Sequence, residues 1–299
     1  MQISGKPFVR LIVFLCFFIP TVLTFAYQTG DEALPTCVST LLPDATPTTL
    51  ADAVTALTEL RQTRRNAGEK RAEADALYCM GLTYYAQGDY PAFEQPFRDS
   101  RTQFERALLL YREVADRAGE ARTLHQWGRT YFILRDYGNT LPNYQQALRT
   151  AQGINDIGIQ ADIRFDLGVF YSQQGNPSRD LEEAAFEYGE AYAGYLQTQN
   201  LARQAETLMV LGQTAFALQE LEDAASNYES AADLYNELGE TALEAQALHG
   251  AALILHHTGS LHEAEDAYNE VLTLYQEVGD MRGEGRVTCL LYTSPSPRD

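Results

Sequence analysis

The sequence predicts an all-α fold, a solenoid of antiparallel helix hairpins stacked on one another. Three observations predict it: a small residue that recurs at a near-constant interval, helical apolar spacing around each recurrence, and turn residues at a fixed distance beyond it. Gly81, Gly128, Gly168, Gly212 and Ala252 mark the recurrence, at intervals of 47, 40, 44 and 40 residues. One hairpin cannot bury its apolar face alone, so neighbours must stack into a continuous core.

The elements follow in chain order. Lys6 and Arg10 precede an apolar stretch from Leu11 to Phe25, and Thr24-Phe25-Ala26 supplies a small-residue cleavage site before Tyr27. Residues 1–26 are therefore expected to be a secretory signal peptide. The alternative is an N-terminal membrane anchor, for which the stretch is short against the roughly 20 apolar residues a spanning helix needs. Residues 27–48 read as a Pro/Thr-containing linker, and 49–72 as a half repeat. There a helix from Thr49 to Arg65 closes at Asn66-Ala67-Gly68-Glu69, like the second helix of a preceding unit.

About five repeats are expected over 73–287. Three residues after each marker stand Tyr84, Tyr131, Tyr171, Ala215 and Leu255; seven after stand Gly88, Arg135, Gly175, Gln219 and Gly259, where the first helix should turn. Tyr144, Tyr228 and Tyr268 follow at sixteen and Ala147, Ala231 and Val271 at nineteen, and these should pack back onto the first helix. Insertions of seven and four residues lengthen the first and third units. A small residue at the marker lets the second helix approach closely. Ala118-Gly119-Glu120, Leu238-Gly239-Glu240 and Val278-Gly279-Asp280 are expected as the turns that close units. Met281 to Val287 begin a first helix whose partner is not reached. Residues 289–299 resemble a translated sequencing-library adapter, so the repeats are expected to be truncated there.

The repeat units resemble a known family. Leu77-x-x-Met80-Gly81-x-x-Tyr84, Leu124-x-x-Trp127-Gly128-x-x-Tyr131 and Arg164-x-x-Leu167-Gly168-x-x-Tyr171 resemble the W-x-x-L-G-x-x-Y signature of the tetratricopeptide repeat, and Ala224 with Tyr228 and Ala264 with Tyr268 resemble its second half. The period is near 40 rather than 34 and the usual terminal proline is absent, so the units resemble the variant found in kinesin light chains and in bacterial multi-repeat proteins. The resemblance implies a right-handed superhelical solenoid and a concave groove lined by first-helix positions. Carried onto this chain, the partner-binding groove is Tyr78, Leu82, Tyr85, His125, Arg129, Phe132, Phe165, Val169, Met209, Gln213, Phe216, His249, Leu253 and His256. Within it Tyr85, Phe132 and Phe216, continued by His256, form an aromatic file able to grip apolar anchors of a peptide.

Composition narrows the partner. The chain carries 41 Asp+Glu against 22 Lys+Arg, a net charge of -19. Without residues 1–26 and 289–299 the balance is 40 against 19, or -21. Such a field repels nucleic acid and anionic lipid and favours neutral or basic protein or peptide partners. No small-molecule substrate is evident, and no catalytic or cofactor motif occurs, so no catalytic residue and no cofactor are expected. His249, His256, His257 and His262 crowd one unit, but residues seven apart on a helix stand about 10 Å apart, too far to share a zinc; no metal is expected. Cys37 and Cys79 leave one disulfide open.

The functional expectation is an exported, periplasmic or extracellular protein-interaction scaffold, with self-association through an open C-terminal repeat. The alternative is a regulatory or substrate-docking arm of a larger enzyme, such as a CHAT-type caspase-like protease, with its catalytic domain after residue 288.

Overall fold

The computed structural model describes Cys37, residues 49–88 and residues 94–293. The expected signal peptide, nearly all of the linker and the end of the adapter-like segment lie outside the described residues. From Leu50 onward the described chain is helical throughout, with no strand: α1 Leu50–Asn66, α2 Lys70–Gln87, α3 Gln95–Glu113, α4 Arg117–Ile133, α5 Tyr137–Gly153, α6 Ile157–Ser172, α7 Leu181–Gln197, α8 Leu201–Leu218, α9 Leu221–Leu238, α10 Thr241–Thr258, α11 Leu261–Val278 and α12 Met281–Thr293. Within α1–α4 and within α5–α12, each helix packs against the next. The marker residues fall on α2, α4, α6, α8 and α10, the first helices. The chain separates into two compact units, Met1–Asp136 with α1–α4 and Tyr137–Asp299 with α5–α12.

The same packing device builds both units. In the first, a β-carbon on Gly81 would overlap the ring of Phe104, which is fully buried on α3. In the second, a β-carbon on Gly168 would fall 2.5 Å from Tyr188 of α7. Tyr228 of α9 is wedged between two glycines, one on its own first helix and one on the next: added β-carbons would stand 3.0 Å away at Gly212 and 2.7 Å away at Gly250. The insertions of seven and four residues are what carry the ring from sixteen positions after the marker to Phe104 and Tyr188. Three positions beyond the ring, Ala107, Ala191, Ala231 and Val271 are completely buried. Burial of such residues supplies the driving force, at about 25 cal/mol per Å² of apolar surface.

Turns are set by left-handed residues. Gly68, Gly175, Gly239, Gly259 and Gly279 adopt positive φ, as do Ala115, Arg135, Asn155, Gln199 and Gln219. The following amide reaches back five residues, as in Asp116 N–H to Tyr111 O at 2.9 Å and Asp280 N–H to Tyr275 O at 2.9 Å, closing the helix with a Schellman-type bond. Asp116, Asp156, Asn200 and Asp280 then accept a backbone N–H at the start of the next helix.

Two expected turns differ. Ala118-Gly119-Glu120 lies inside α4 and the chain turns earlier, at Ala115, with φ 57°. Gly119 is instead a close-approach site, because a β-carbon there would overlap the ring of Tyr111. Gly88 keeps φ -70° and makes room for Phe97. In neither case does the residue type reveal whether a glycine serves torsion or proximity.

Cys37 and Cys79 are joined by a disulfide with Cα atoms 5.8 Å apart. It ties a residue outside the hairpins to α2 across 42 residues of sequence. In the chain-entropy account such a crosslink contributes up to about 4 kcal/mol.

The ring-and-glycine packing makes a paired prediction. Gly168→Ala should lower stability by about 1–3 kcal/mol through overpacking against Tyr188. Gly189→Ala, on the exposed side of α7 with nothing within 4 Å of an added β-carbon, should raise it by about 0.5–1 kcal/mol. Urea unfolding midpoints read both; equal effects would reject the close-approach role.

Candidate functional site

The fourteen groove positions divide by burial. Leu82, His125, Arg129, Phe165, Val169, Met209, His249 and Leu253 are buried, none exceeding 7% exposure. Tyr78, Tyr85, Phe132, Gln213, Phe216 and His256 are half-buried. The accessible set therefore includes every member of the expected aromatic file, which occupies the position one turn after the marker.

In the first unit, α2 and α4 bring Tyr85 and Arg129 together, with the guanidinium carbon 5.6 Å from the ring centroid. Tyr85 also meets Phe97 edge-on at 5.7 Å, and Tyr78 meets Phe104 at 5.8 Å. Phe132 lies one turn beyond Arg129 near the end of α4. The result is a half-exposed aromatic surface backed by a buried cation. Cation–π contact of this kind fixes the ring.

In the second unit, Phe165 is committed to the core. It meets Tyr188 edge-on at 5.5 Å and carries the Arg203 guanidinium 4.3 Å over its face. Met209 belongs to the cluster around Tyr228, against which the half-buried Phe216 also packs. Phe216 meets His257 edge-on at 5.5 Å, and His256 Nδ1 lies 3.4 Å from the Tyr268 hydroxyl. His249 is enclosed between Tyr268 and Tyr275, at 6.1 and 6.3 Å. Its burial, aided by the nearby charge of Arg286, pushes the imidazole down to about 4. His256 is also lowered, by burial and then by His257. Among the described residues, no group of three or more His, Cys, Asp or Glu side chains is placed to hold a metal ion.

The structure adds a polar network that the repeat pattern did not single out. Seven residues after each inserted ring stands a second tyrosine: Tyr111, Tyr195, Tyr235 and Tyr275 are all nearly or fully buried. Tyr111 donates to Asp75 Oδ1 and Tyr195 to Asp162 Oδ1, each at 2.7 Å, and both acids stand six residues before their marker glycine. Burial first, then these carboxylates in part, pushes both phenols far above their usual range. Arg203 donates to the Tyr195 hydroxyl at 2.7 Å, pairs with Glu206 and approaches Asp162 at 3.6 Å. The seven-residue tyrosine spacing was the available sequence signal for this layer.

With the hairpins and their half-buried aromatic positions described, the class is clear: an all-α helical-repeat protein. Residues 203–277 match the family model described as Tetratricopeptide repeat. Among solved structures it is similar to BtubC (BKLC) from P. vanneervenii, at 16% identity and TM-score 0.66 over 78% of this chain and 93% of that one. It is also similar to the apo form of RapI, at 13% identity and TM-score 0.59 over 90% and 96% of the two chains. A Rap protein complexed with Competence and Sporulation Factor is similar at 16% identity and TM-score 0.52, over 91% and 86%. These likenesses establish the fold. A search of curated proteins found no match.

The enclosed imidazole predicts a pH dependence. His249 stays neutral in the folded state down to about pH 4, whereas in the unfolded chain it takes up a proton near its ordinary value of about 6.5. Between those values the unfolded state binds more protons, so this contribution is present above pH 6.5 and is lost as pH falls toward 4. It should amount to about 3 kcal/mol. Comparing urea stability of the wild type and His249→Phe across that window checks it; parallel curves would remove His249 as the cause.

Proposed function

We propose that this protein is an exported interaction scaffold that holds a peptide segment of a partner on the first-helix face of its hairpins. The observation that carries this reading is the division of the fourteen positions. Eight of the fourteen side chains are buried, whereas Tyr85, Phe132, Phe216 and His256 stay half-accessible at one repeat position. Half-buried rings set on a rigid helical frame suit apolar anchor residues, because little conformational freedom is lost on binding. The Rap protein solved with Competence and Sporulation Factor shares this fold, which supports a binding role without identifying a ligand here. The net charge of -19 favours a neutral or basic partner and a salt-sensitive association rate. The proposal assigns no catalytic step to these residues.

Export is supported by two features. The first 26 residues have the layout of a signal peptide, and a disulfide such as Cys37–Cys79 persists in oxidising compartments. Among the described residues no helix is long and apolar enough to cross a membrane.

Peptides selected on the protein from a random-peptide display library test the reading. Phe132→Ala and Phe216→Ala should each weaken a peptide selected on the corresponding unit by about tenfold or more, the scale of a lost aromatic anchor. The helical circular dichroism should stay unchanged. Undiminished affinity in both variants would reject the groove, and raised salt should slow association of a basic peptide most.

A further inference from the structure

The disulfide is placed on the face to which the interaction reading assigns the partner. Cys79 is fully buried on α2, next to Tyr78 and three residues before Leu82. Its partner Cys37 is half-buried and packs against two clusters. One is Leu57, Cys79 and Met80, flanked by Tyr84. The other is Leu82 and Phe104, flanked by Tyr78, Ala86 and Trp127. A residue from outside the hairpins thus covers the apolar ground between Tyr78 and Leu82. The equivalent positions on the later first helices, Gln126, Asp166, Val210 and Gly250, carry no cysteine, so this covering is particular to the first hairpin.

We propose that the Cys37–Cys79 disulfide holds Cys37 as an intramolecular occupant of the Tyr78–Leu82 face, and that thiol–disulfide exchange releases it and opens that face to the partner. The partner half of the proposal rests on the groove reading above. Exposure selects the point of attack, since Cys79 is inaccessible and Cys37 is not. The thiolate of a dithiol oxidoreductase or a small thiol attacks Cys37 Sγ, and the Cys37–Cys79 bond breaks. Cys79 leaves as a thiolate and takes up a proton. A second thiol then resolves the mixed disulfide, leaving a Cys37 thiol. Two electrons pass to the protein and the two external thiols end as a disulfide. The freed Cys79 thiol remains in the core as a small apolar group, so the hairpin keeps its packing when Cys37 departs.

Trp127 is the only tryptophan of the chain and flanks the same Leu82–Phe104 cluster as Cys37, which makes it a reporter that needs no partner. The chain is best studied with Cys16 and Cys289 replaced by Ser. On reduction with dithiothreitol, Trp127 emission should shift to the red and become more open to acrylamide quenching. Binding of anilinonaphthalene sulfonate should rise while helical circular dichroism is retained. A Cys37→Ser/Cys79→Ser variant should show the released signals without reductant and respond to none. Unchanged Trp127 emission after verified reduction would overturn the proposal. So would loss of helical signal, because the crosslink would then hold the hairpin together rather than cover it.

A display-selected peptide tests the second half. Its affinity for the reduced chain and for the double Ser variant should exceed that for the oxidised chain by about tenfold, as expected when a tethered competitor is removed. Equal affinities would overturn the proposal. If Trp127 responds but neither redox state selects any peptide, the groove reading fails while the release of Cys37 stands.

Discussion

The structure depends on one packing contact, an aromatic ring from the second helix entering the space left by an absent side chain on the first. Tyr228 shows it most fully, since glycines on two consecutive first helices admit the same ring. A helix surface with a side chain at that point would hold the neighbouring axis farther away, and the ring would lose its contacts on both sides. The contact therefore sets the separation within a hairpin and between a hairpin and its successor. It also explains how repeats of unequal length share one geometry. Extra residues between α6 and α7 are taken up in a compact loop, where Asn176 Nδ2 donates to Phe170 O at 2.7 Å and Asp180 N–H returns to Tyr171 O. Tyr188 still arrives over Gly168.

The second tyrosine layer is less uniform, and the irregularity has a physical cause. Asp75 and Asp162 are short enough to meet the hydroxyls of Tyr111 and Tyr195. The corresponding residue on α8 is Glu206, whose longer side chain is held by Arg203. The Tyr235 hydroxyl consequently finds no hydrogen-bond partner among the described residues, and neither does that of Tyr275, in whose hairpin the same repeat position is Gln246. A buried polar atom without a partner costs about 1–3 kcal/mol. The hairpins that contain Tyr111 and Tyr195 are thus better satisfied than the two that follow, and the apolar packing of all four rings carries the difference. Arg203 shows the same economy of contacts on the charged side, because a buried guanidinium is tolerated only when carboxylates and ring faces surround it.

Much of this was legible in the sequence, for reasons that can be stated residue by residue. The glycine ladder located the first helices because a close approach demands a small side chain, and the ring-to-marker distance plus the inserted residues leads to Phe104 and Tyr188. Gly239, Gly259 and Gly279 were readable as turns, and their φ values are positive. Gly119 was misread because glycine serves torsion and proximity alike, and only the neighbouring Tyr111 decides between them. Ala115, Asn155 and Gln199 gave no turn signal, since left-handed residues other than glycine are uncommon. Half of the Arg203 network was hidden for another reason: Asp162, Tyr195 and Arg203 lie on three different helices. At the candidate site, repeat position named the residues but not their exposure. First helices pack against two neighbours, so His249 and Phe165 are enclosed where Phe216 is not.

That enclosure explains why the accessible residues sit where they do. Within each unit, the marker residue of a first helix and its flanking apolar residues are buried against neighbouring helices. Positions just after the marker face inward and are buried, as Leu82, Val169 and Leu253 are. A further turn along, the side chain emerges at the edge of that contact, supported from below by the same rings that build the core. Tyr85 rests beside Phe97, His256 beside Tyr268 and Phe216 against the Tyr228 cluster. An aromatic at this position is therefore rigid without being consumed by packing, and it costs little entropy to use for binding. The same feature that fixes the spacing of the hairpins leaves one ordered, half-open side chain per repeat, and in the first hairpin the adjoining apolar ground is occupied by Cys37.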